Sequence, residues 1–269
     1  MTTTRPGDFN NAEAYQAQMG RWSRQLAEPF LDFAGPLDGS RILDMGCGIG
    51  SLTFALAKRY AMATISGIDA AAPFVEHLSK LNRDPRIDVQ VGDALDLPFP
   101  DKTFDHALSL LVLHFVADTA KAVSELKRVT KPGGTIAAAV WDTGGGFIAQ
   151  RMFFDTAAAI DPKAVEARAG HMRRPNTRKG ELAAAWRAGG LANVEETSIM
   201  TRMEYTSFDD YWKPFLGRQA GAAAYIAKLP PEEVARIHDA VRLAYLGGDS
   251  DGPRSFVAVA WAVKGKVPG

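Results

Sequence analysis

The chain has 269 residues, enough for one sizeable α/β domain or a core domain carrying an elaborated lid. Hydrophobic residues make up 46% and charged residues 23%, the balance of a globular protein that can bury a full core. Lys plus Arg and Asp plus Glu both number 31, and a net charge of zero argues against a dedicated nucleic-acid binder, which carries a basic excess. Cys47 is the only cysteine, so no internal disulfide can form and no metal site is expected. The opening "MTTTRPGDFN" lacks the apolar core of a signal peptide, and no apolar run reaches a membrane span. A soluble cytoplasmic protein is the expectation.

Residues 10–34 read as helix, because Tyr15, Met19, Trp22, Leu26 and Phe30 recur every three or four places on one face. Pro29 kinks that helix or divides it, and "AGPLDGS" ends it. "RILDM" (41–45) is a short apolar strand, followed by "SLTFALAKRY" (51–60), a helix with Ser51 placed as its cap. "ATISGID" (63–69) is a second strand, and a helix begins at Pro73. "RIDVQVGD" (86–93) and "FDHALSLLVLHF" (104–115) hold the third and fourth strands. Asp118 caps a helix over 118–130 that stops at "KPGG", and "TIAAAVW" (135–141) is the fifth strand. Strands alternating with helices indicate βαβ units around a mostly parallel sheet, whose ligands bind at the carboxyl ends of the strands.

After Trp141 the rhythm changes. A mostly helical segment opens at "TGGGF", 179–200 reads as helix, Gly-Gly stop and strand, 205–247 is helical, and "SFVAVAWAVKG" (255–265) is a terminal strand. The expected organisation is one domain over 1–269: an N-terminal helical cap (1–40), a core (41–141), and two helical insertions (142–178 and 203–250). "RAGHMRRPNTRK" (168–179) is the one strongly basic stretch, read as a solvated loop.

"RILDMGCGIG" (41–50) asks which ligand its glycines approach. A dinucleotide fingerprint needs a glycine three places after its second, and neither possible start supplies one. No Gly-Lys-Ser/Thr follows, so it is not a phosphate loop of the Walker type. "LDMGCGIG" resembles motif I of the class I S-adenosylmethionine-dependent methyltransferases: an acid, then GxGxG. Asp69 matches that family's ribose-binding acid, "VGDALDLPFPDKTFD" (91–105) its adenine-binding segment, and "LKRVTKPGGTI" (126–136) the signature before its fifth strand. The terminal segments are similar to the ubiquinone/menaquinone methyltransferase-like subgroup.

The resemblance implies a Rossmann-like α/β sheet of seven mostly parallel strands, with helices on both faces and a helical lid insertion. It implies S-adenosylmethionine as cofactor and S-adenosylhomocysteine as product. Gly46, Gly48 and Gly50 would let backbone approach the amino-acid and ribose portions, beside Cys47, Ala70 and Leu110. Asp69 would accept from the ribose hydroxyls and Asp93 from the adenine amino group. The Ala94 backbone would meet a ring nitrogen, and Leu95 would cover an adenine face. Asp44 would take the ammonium, directly or through water; Arg21 or Arg24 would pair with the carboxylate, or sit on the surface.

Methyl transfer is an in-line displacement, so positioning matters most and a general base is optional. His114, just beyond the fourth strand, is the candidate base, with packing as its competing role. Trp141 and Asp142 end the fifth strand and would line an acceptor pocket. Phe208, Tyr211, Trp212 and Phe215 fall on one helical face; core packing competes with a lid in which Tyr211, Trp212 and Phe215 roof the substrate. The expected acceptor is a small molecule: no [DN]-P-P-[YF] loop follows the fourth strand, so no nucleic acid is expected, and without a long apolar run no membrane is expected either. A protein methyltransferase, or a cofactor-binding scaffold or sensor without turnover, are the alternatives; monomer and homodimer are both open.

Overall fold

The computed structural model describes residues 12–217 and 222–269. Residues 1–11 of the expected cap and 218–221 of the second insertion lie outside the described residues. Seven strands form one sheet in the order β3-β2-β1-β4-β5-β7-β6. They are β1 (Arg41–Met45), β2 (Thr64–Asp69), β3 (Ile87–Val91), β4 (Phe104–Leu110), β5 (Thr130–Trp141), β6 (Ala192–Tyr205) and β7 (Arg254–Lys266). The first five run parallel, while β7 is antiparallel to both β5 and β6. The order reverses between β1 and β4, which places a crevice at the carboxyl ends of β1, β2 and β4.

Helices α1 (Ala12–Tyr15) and α2 (Arg21–Ala34) are joined by a π-type turn over Gln16–Gly20. α3 (Ser51–Arg59), α4 (Ala72–Leu81) and α5 (Thr119–Val129) link the parallel strands. α6 (Ile148–Ile160), α7 (Pro162–Met172) and α8 (Glu181–Ala188) follow β5, and α9 (Phe208–Trp212), α10 (Ala222–Ile226) and α11 (Pro231–Leu246) separate β6 from β7.

The central strands β1, β4 and β5 are mostly buried because both faces of the sheet are covered, whereas the edge strands β3 and β6 carry exposed polar residues. Ile42 of β1 packs into one core with Leu26, Phe30 and Leu56, whereas its neighbour Leu43 packs into the opposite one with Leu126 and Trp186. Along β5, Ala137 and Ala139 face the first core and Ile136, Ala138 and Val140 the second.

Local expectations were corrected at several points. Pro29 neither ends nor divides α2, which keeps Trp22, Leu26 and Phe30 buried along one face. Ser51 does not cap α3; Gly50 holds that place in the left-handed region (φ 92°), a conformation open to glycine, with no side-chain bond. Asp118 does cap α5, accepting from the Lys121 N–H. β6 runs on to Tyr205, so the helical stretch after it begins later than its composition suggests. Pro214 opens a 3-10 turn over Lys213–Leu216 that ends α9 after one turn.

Candidate active site

The glycine loop is shaped from below by β2. The N–H groups of Gly46 and Cys47 both donate to the Ile68 carbonyl, at 2.7 and 3.0 Å, folding the chain back over the strand end. Gly46 has φ 79°, and a Cβ there would stand 2.2 Å from Cγ2 of Val112. Gly48 has φ 53°, and nothing lies within 4 Å of where its Cβ would be. One glycine is needed by the protein's own packing. The other leaves open space on the wall of a cavity.

That cavity has a volume of about 300 Å³ and is lined by Gly46, Gly48, Asp69, Ala70, Asp93, Ala94, Leu95 and Leu110 of the expected set. Tyr15, Phe74, Val112 and Phe115 complete its walls. Asp69 ends β2 with both carboxylate oxygens engaged: Oδ2 accepts from the Gly48 N–H at 2.9 Å and Oδ1 from the Ala71 N–H at 2.8 Å. Each oxygen keeps a second lone pair for a ligand hydroxyl. Burial raises the Asp69 pKa, against the two N–H donors that lower it. Asp93 closes a turn by accepting from the Leu95 N–H at 2.9 Å.

Asp44 lies behind the loop rather than on the cavity wall. Its Oδ2 accepts from the Thr53 hydroxyl at 2.6 Å, while the buried Oδ1 has no partner. Burial raises its pKa to about 7, and the nearby Asp69 pushes in the same direction. Two partly desolvated acids without a facing cation suit a ligand that brings positive charge. Cys47 and Gly50 do not line the cavity; Cys47 is buried, and burial raises its thiol pKa well above the ordinary range.

The loop from Asp93 to Phe99 is held by α5. Glu125 Oε2 accepts from the Leu97 N–H at 3.0 Å and from Arg128 Nη2 at 2.7 Å. Arg128 in turn donates to the carbonyls of Leu97 and Phe99, at 2.8 and 2.7 Å. The Arg128 hydrogen bond is the main cause holding the Glu125 carboxyl down to about 2. The sequence signal for this clamp, an acid and a base three apart on one helix, was present in "SELKRV" but not read.

Several expected site residues stand elsewhere. Arg21 pairs with Asp210 at 2.9 Å and lies over the Trp22 ring, 4.3 Å from its centroid, so it serves the packing of α2 against α9. Arg24 is exposed on α2, away from the cavity. Tyr211, Trp212 and Phe215 are buried, but in an aromatic core with Phe153, Phe208 and Tyr245, and none lines the cavity. The Tyr211 hydroxyl donates to the Ala149 carbonyl at 2.8 Å. Trp141 is buried against Phe147, with ring centroids 5.2 Å apart, and its Nε1 has no partner. Asp142 accepts from the N–H groups of Gly144 and Gly145. His114 is buried beyond β4, off the cavity wall; desolvation, then the charges of Arg174 and His171, lower its pKa well below the ordinary value. So depressed a histidine is a weak base at neutral pH.

The basic stretch is a solvated loop only in part: residues up to Met172 belong to α7, and Arg173, Arg178 and Lys179 are exposed. Asn176 is buried and donates to the Leu113 carbonyl at 3.0 Å and to the Thr119 hydroxyl at 2.8 Å. The Thr143 hydroxyl meets that of Thr177 at 3.0 Å, and Thr177 donates to the Arg174 carbonyl. This segment is therefore tied to the ends of β4 and β5.

A doubly covered sheet with this strand order, a glycine loop closing over β2, and acids at successive strand ends place a ligand cavity at the switch point of an α/β sheet. Residues 43–138 match the family model described as a methyltransferase domain. A fatty-acid O-methyltransferase of Mycolicibacterium smegmatis is 32% identical over 117 residues, covering 44% of this chain and 42% of that protein. A demethylmenaquinone methyltransferase of Renibacterium salmoninarum is 36% identical over 135 residues, covering 49% and 52%. The chain thus spans about half the length of these curated relatives. A Haemonchus contortus phosphoethanolamine N-methyltransferase 2, solved with S-adenosyl-L-methionine, superposes with a TM-score of 0.59 at 17% identity, over 96% of this chain and 57% of that one. No helix among the described residues is long and apolar enough to cross a membrane.

Proposed function

We propose that this protein transfers a methyl group from S-adenosylmethionine to a small-molecule acceptor. The observation that carries the reading is the cavity itself, with Asp69 at its rim and open space above Gly48. The residues present fit the cofactor: Asp69 for the ribose diol, the Asp93–Leu95 turn for adenine, and the acids Asp44 and Asp69 for a cationic ligand. When bound, the cofactor supplies an activated methyl group on a sulfonium. The protein's part is to orient and to exclude water, worth about 7–11 kcal/mol in well-aligned cases. Phe115 and Val116 sit on the cavity wall where the acceptor side begins, and the first insertion (142–178) packs beyond them. We assign the acceptor wall to this insertion and not to the aromatic face of α9. No general base is assigned, since His114 is off the cavity wall and its lowered pKa makes it a weak base.

The names of the two curated relatives, which act on a fatty acid and on demethylmenaquinone, support a small organic acceptor. The test has two stages. Calorimetric titration should show S-adenosylhomocysteine binding and no NADH binding; the reverse would end the reading. Transfer of labelled methyl to members of a small-molecule panel should follow. Binding without transfer to any member, or transfer only to proteins, would replace the proposed acceptor class.

A further inference from the structure

Beside the cofactor cavity lies a group of polar side chains that the fold does not use. The guanidinium of Arg174 sits 4.7 Å from the ring centroid of Phe115, a residue of the cavity wall. Among the described residues Arg174 has no ion-pair partner, and no carboxylate contributes to its electrostatics. Burial lowers its pKa to about 10, with no carboxylate acting against that shift.

His171, one turn earlier at the end of α7, is buried, and neither ring nitrogen has a partner. Its ring stacks on Phe154, with centroids 4.8 Å apart, and faces Phe147 at 6.4 Å. His114 is also buried, its Nδ1 unpartnered and its ring 4.0 Å from that of Phe115. Both histidines lie within reach of the Arg174 charge. Unpaired buried donors are costly, and they persist in folded proteins where a ligand satisfies them.

The setting is built, not incidental. Asn176 (φ 66°) and Thr177 fix the segment that carries Arg174 to the ends of β4 and β5. A long cationic side chain on a segment tied this way has less freedom to lose on binding.

We propose that Arg174, with His171 and His114 as neutral donors, forms an acid-recognition end of the acceptor site, taking a carboxylate borne on an apolar or aromatic body. The inference rests on the methyltransferase reading above. A guanidinium presents a planar fork that matches a carboxylate in two parallel hydrogen bonds. Desolvation keeps both histidines neutral, so one fixed positive charge faces the ligand. One carboxylate balances it, whereas a phosphate monoester would bring about two negative charges. Phe115, with Leu110, Val112 and Val116 lining the same cavity, sets the body of the ligand as apolar.

The test uses the full chain saturated with S-adenosylhomocysteine, titrated calorimetrically with octanoate and phenylacetate, with their primary amides, and with phenyl phosphate. At least one carboxylate should bind, about tenfold or more tighter than its amide and than phenyl phosphate. Arg174→Met should lower carboxylate affinity about tenfold or more, Arg174→Lys should restore part of it, and affinity for S-adenosylhomocysteine should stay within about twofold. His171→Phe keeps the stack on Phe154 and should weaken carboxylate binding alone, serving where Arg174→Met does not fold. Equal binding of amide and carboxylate, preference for the phosphate, indifference to both variants, or no binding by either carboxylate each overturns the proposal. If S-adenosylhomocysteine itself does not bind the wild-type chain, the methyltransferase reading fails and this inference with it.

Discussion

Replacing Asp69 by alanine tests the site most directly, because its carboxylate has two tasks. It accepts from the N–H groups of Gly48 and Ala71, at 2.9 and 2.8 Å, and it stands at the rim of the cavity. A hydrogen bond to a charged group contributes about 1.5–3 kcal/mol, so losing one ribose contact alone should raise the Kd for S-adenosylhomocysteine roughly 10- to 150-fold. The same change leaves two backbone donors without an acceptor, at about 1 kcal/mol each when water replaces it poorly. At about 2–4 °C per kcal/mol, melting should fall by roughly 4–8 °C. Asp69→Asn retains one acceptor oxygen but points its amide at an N–H donor, so it should fall between wild type and alanine in both readouts. Calorimetric titration gives the first number and thermal unfolding the second. A folded Asp69→Ala protein with a Kd within about twofold of wild type would refute the placement of the cofactor.

The two glycines of the loop should separate stability from affinity. Gly46→Ala meets Val112 at 2.2 Å and should cost about 2–5 kcal/mol in thermal unfolding, partly restored by Val112→Ala; Gly48→Ala, with open space around it, should cost only about 1–2 kcal/mol while weakening cofactor binding more. The Glu125 carboxyl, held from 4.5 down to about 2, contributes stability that is present above its ordinary pKa and lost as pH falls from about 4.5 towards 2. Glu125→Gln should therefore remove up to about 3 kcal/mol at neutral pH and flatten the acid limb of a pH–stability curve; an unchanged acid limb would contradict the clamp. Trp212→Ala should lower stability by about 3–5 kcal/mol with cofactor affinity intact, and lost acceptor binding without lost stability would return Trp212 to the pocket.

The features legible in the sequence are those written locally. The strand–glycine loop–helix unit, Asp69, the Asp93 turn and the cap at Asp118 each lie within a few residues, and the structure brings the first three to one cavity. The aromatic face of Phe208, Tyr211, Trp212 and Phe215 was likewise visible as one face, and all four are buried together. Its destination was not visible, because periodicity says which side chains share a face and not what covers them. Arg21 finds Asp210 across 189 positions, and Asn176 finds the Leu113 carbonyl across 63. Such pairings depend on how insertions fold back over the sheet, which neither composition nor spacing encodes. The anchoring of the basic run 168–179 was missed for this reason: charge density does not reveal that Asn176 and Thr177 pin the segment to the sheet.

Asp44 has a consequence for the thermodynamics of capture. A carboxyl raised to about 7 is close to half-protonated at neutral pH, with its unpartnered oxygen buried beneath the loop. A ligand arriving with an ammonium group favours the ionised form, so the acid sheds its proton as the ligand settles. Binding and proton release are then one event. The measured heat should track the ionisation enthalpy of the buffer, and affinity should strengthen as pH rises through 7.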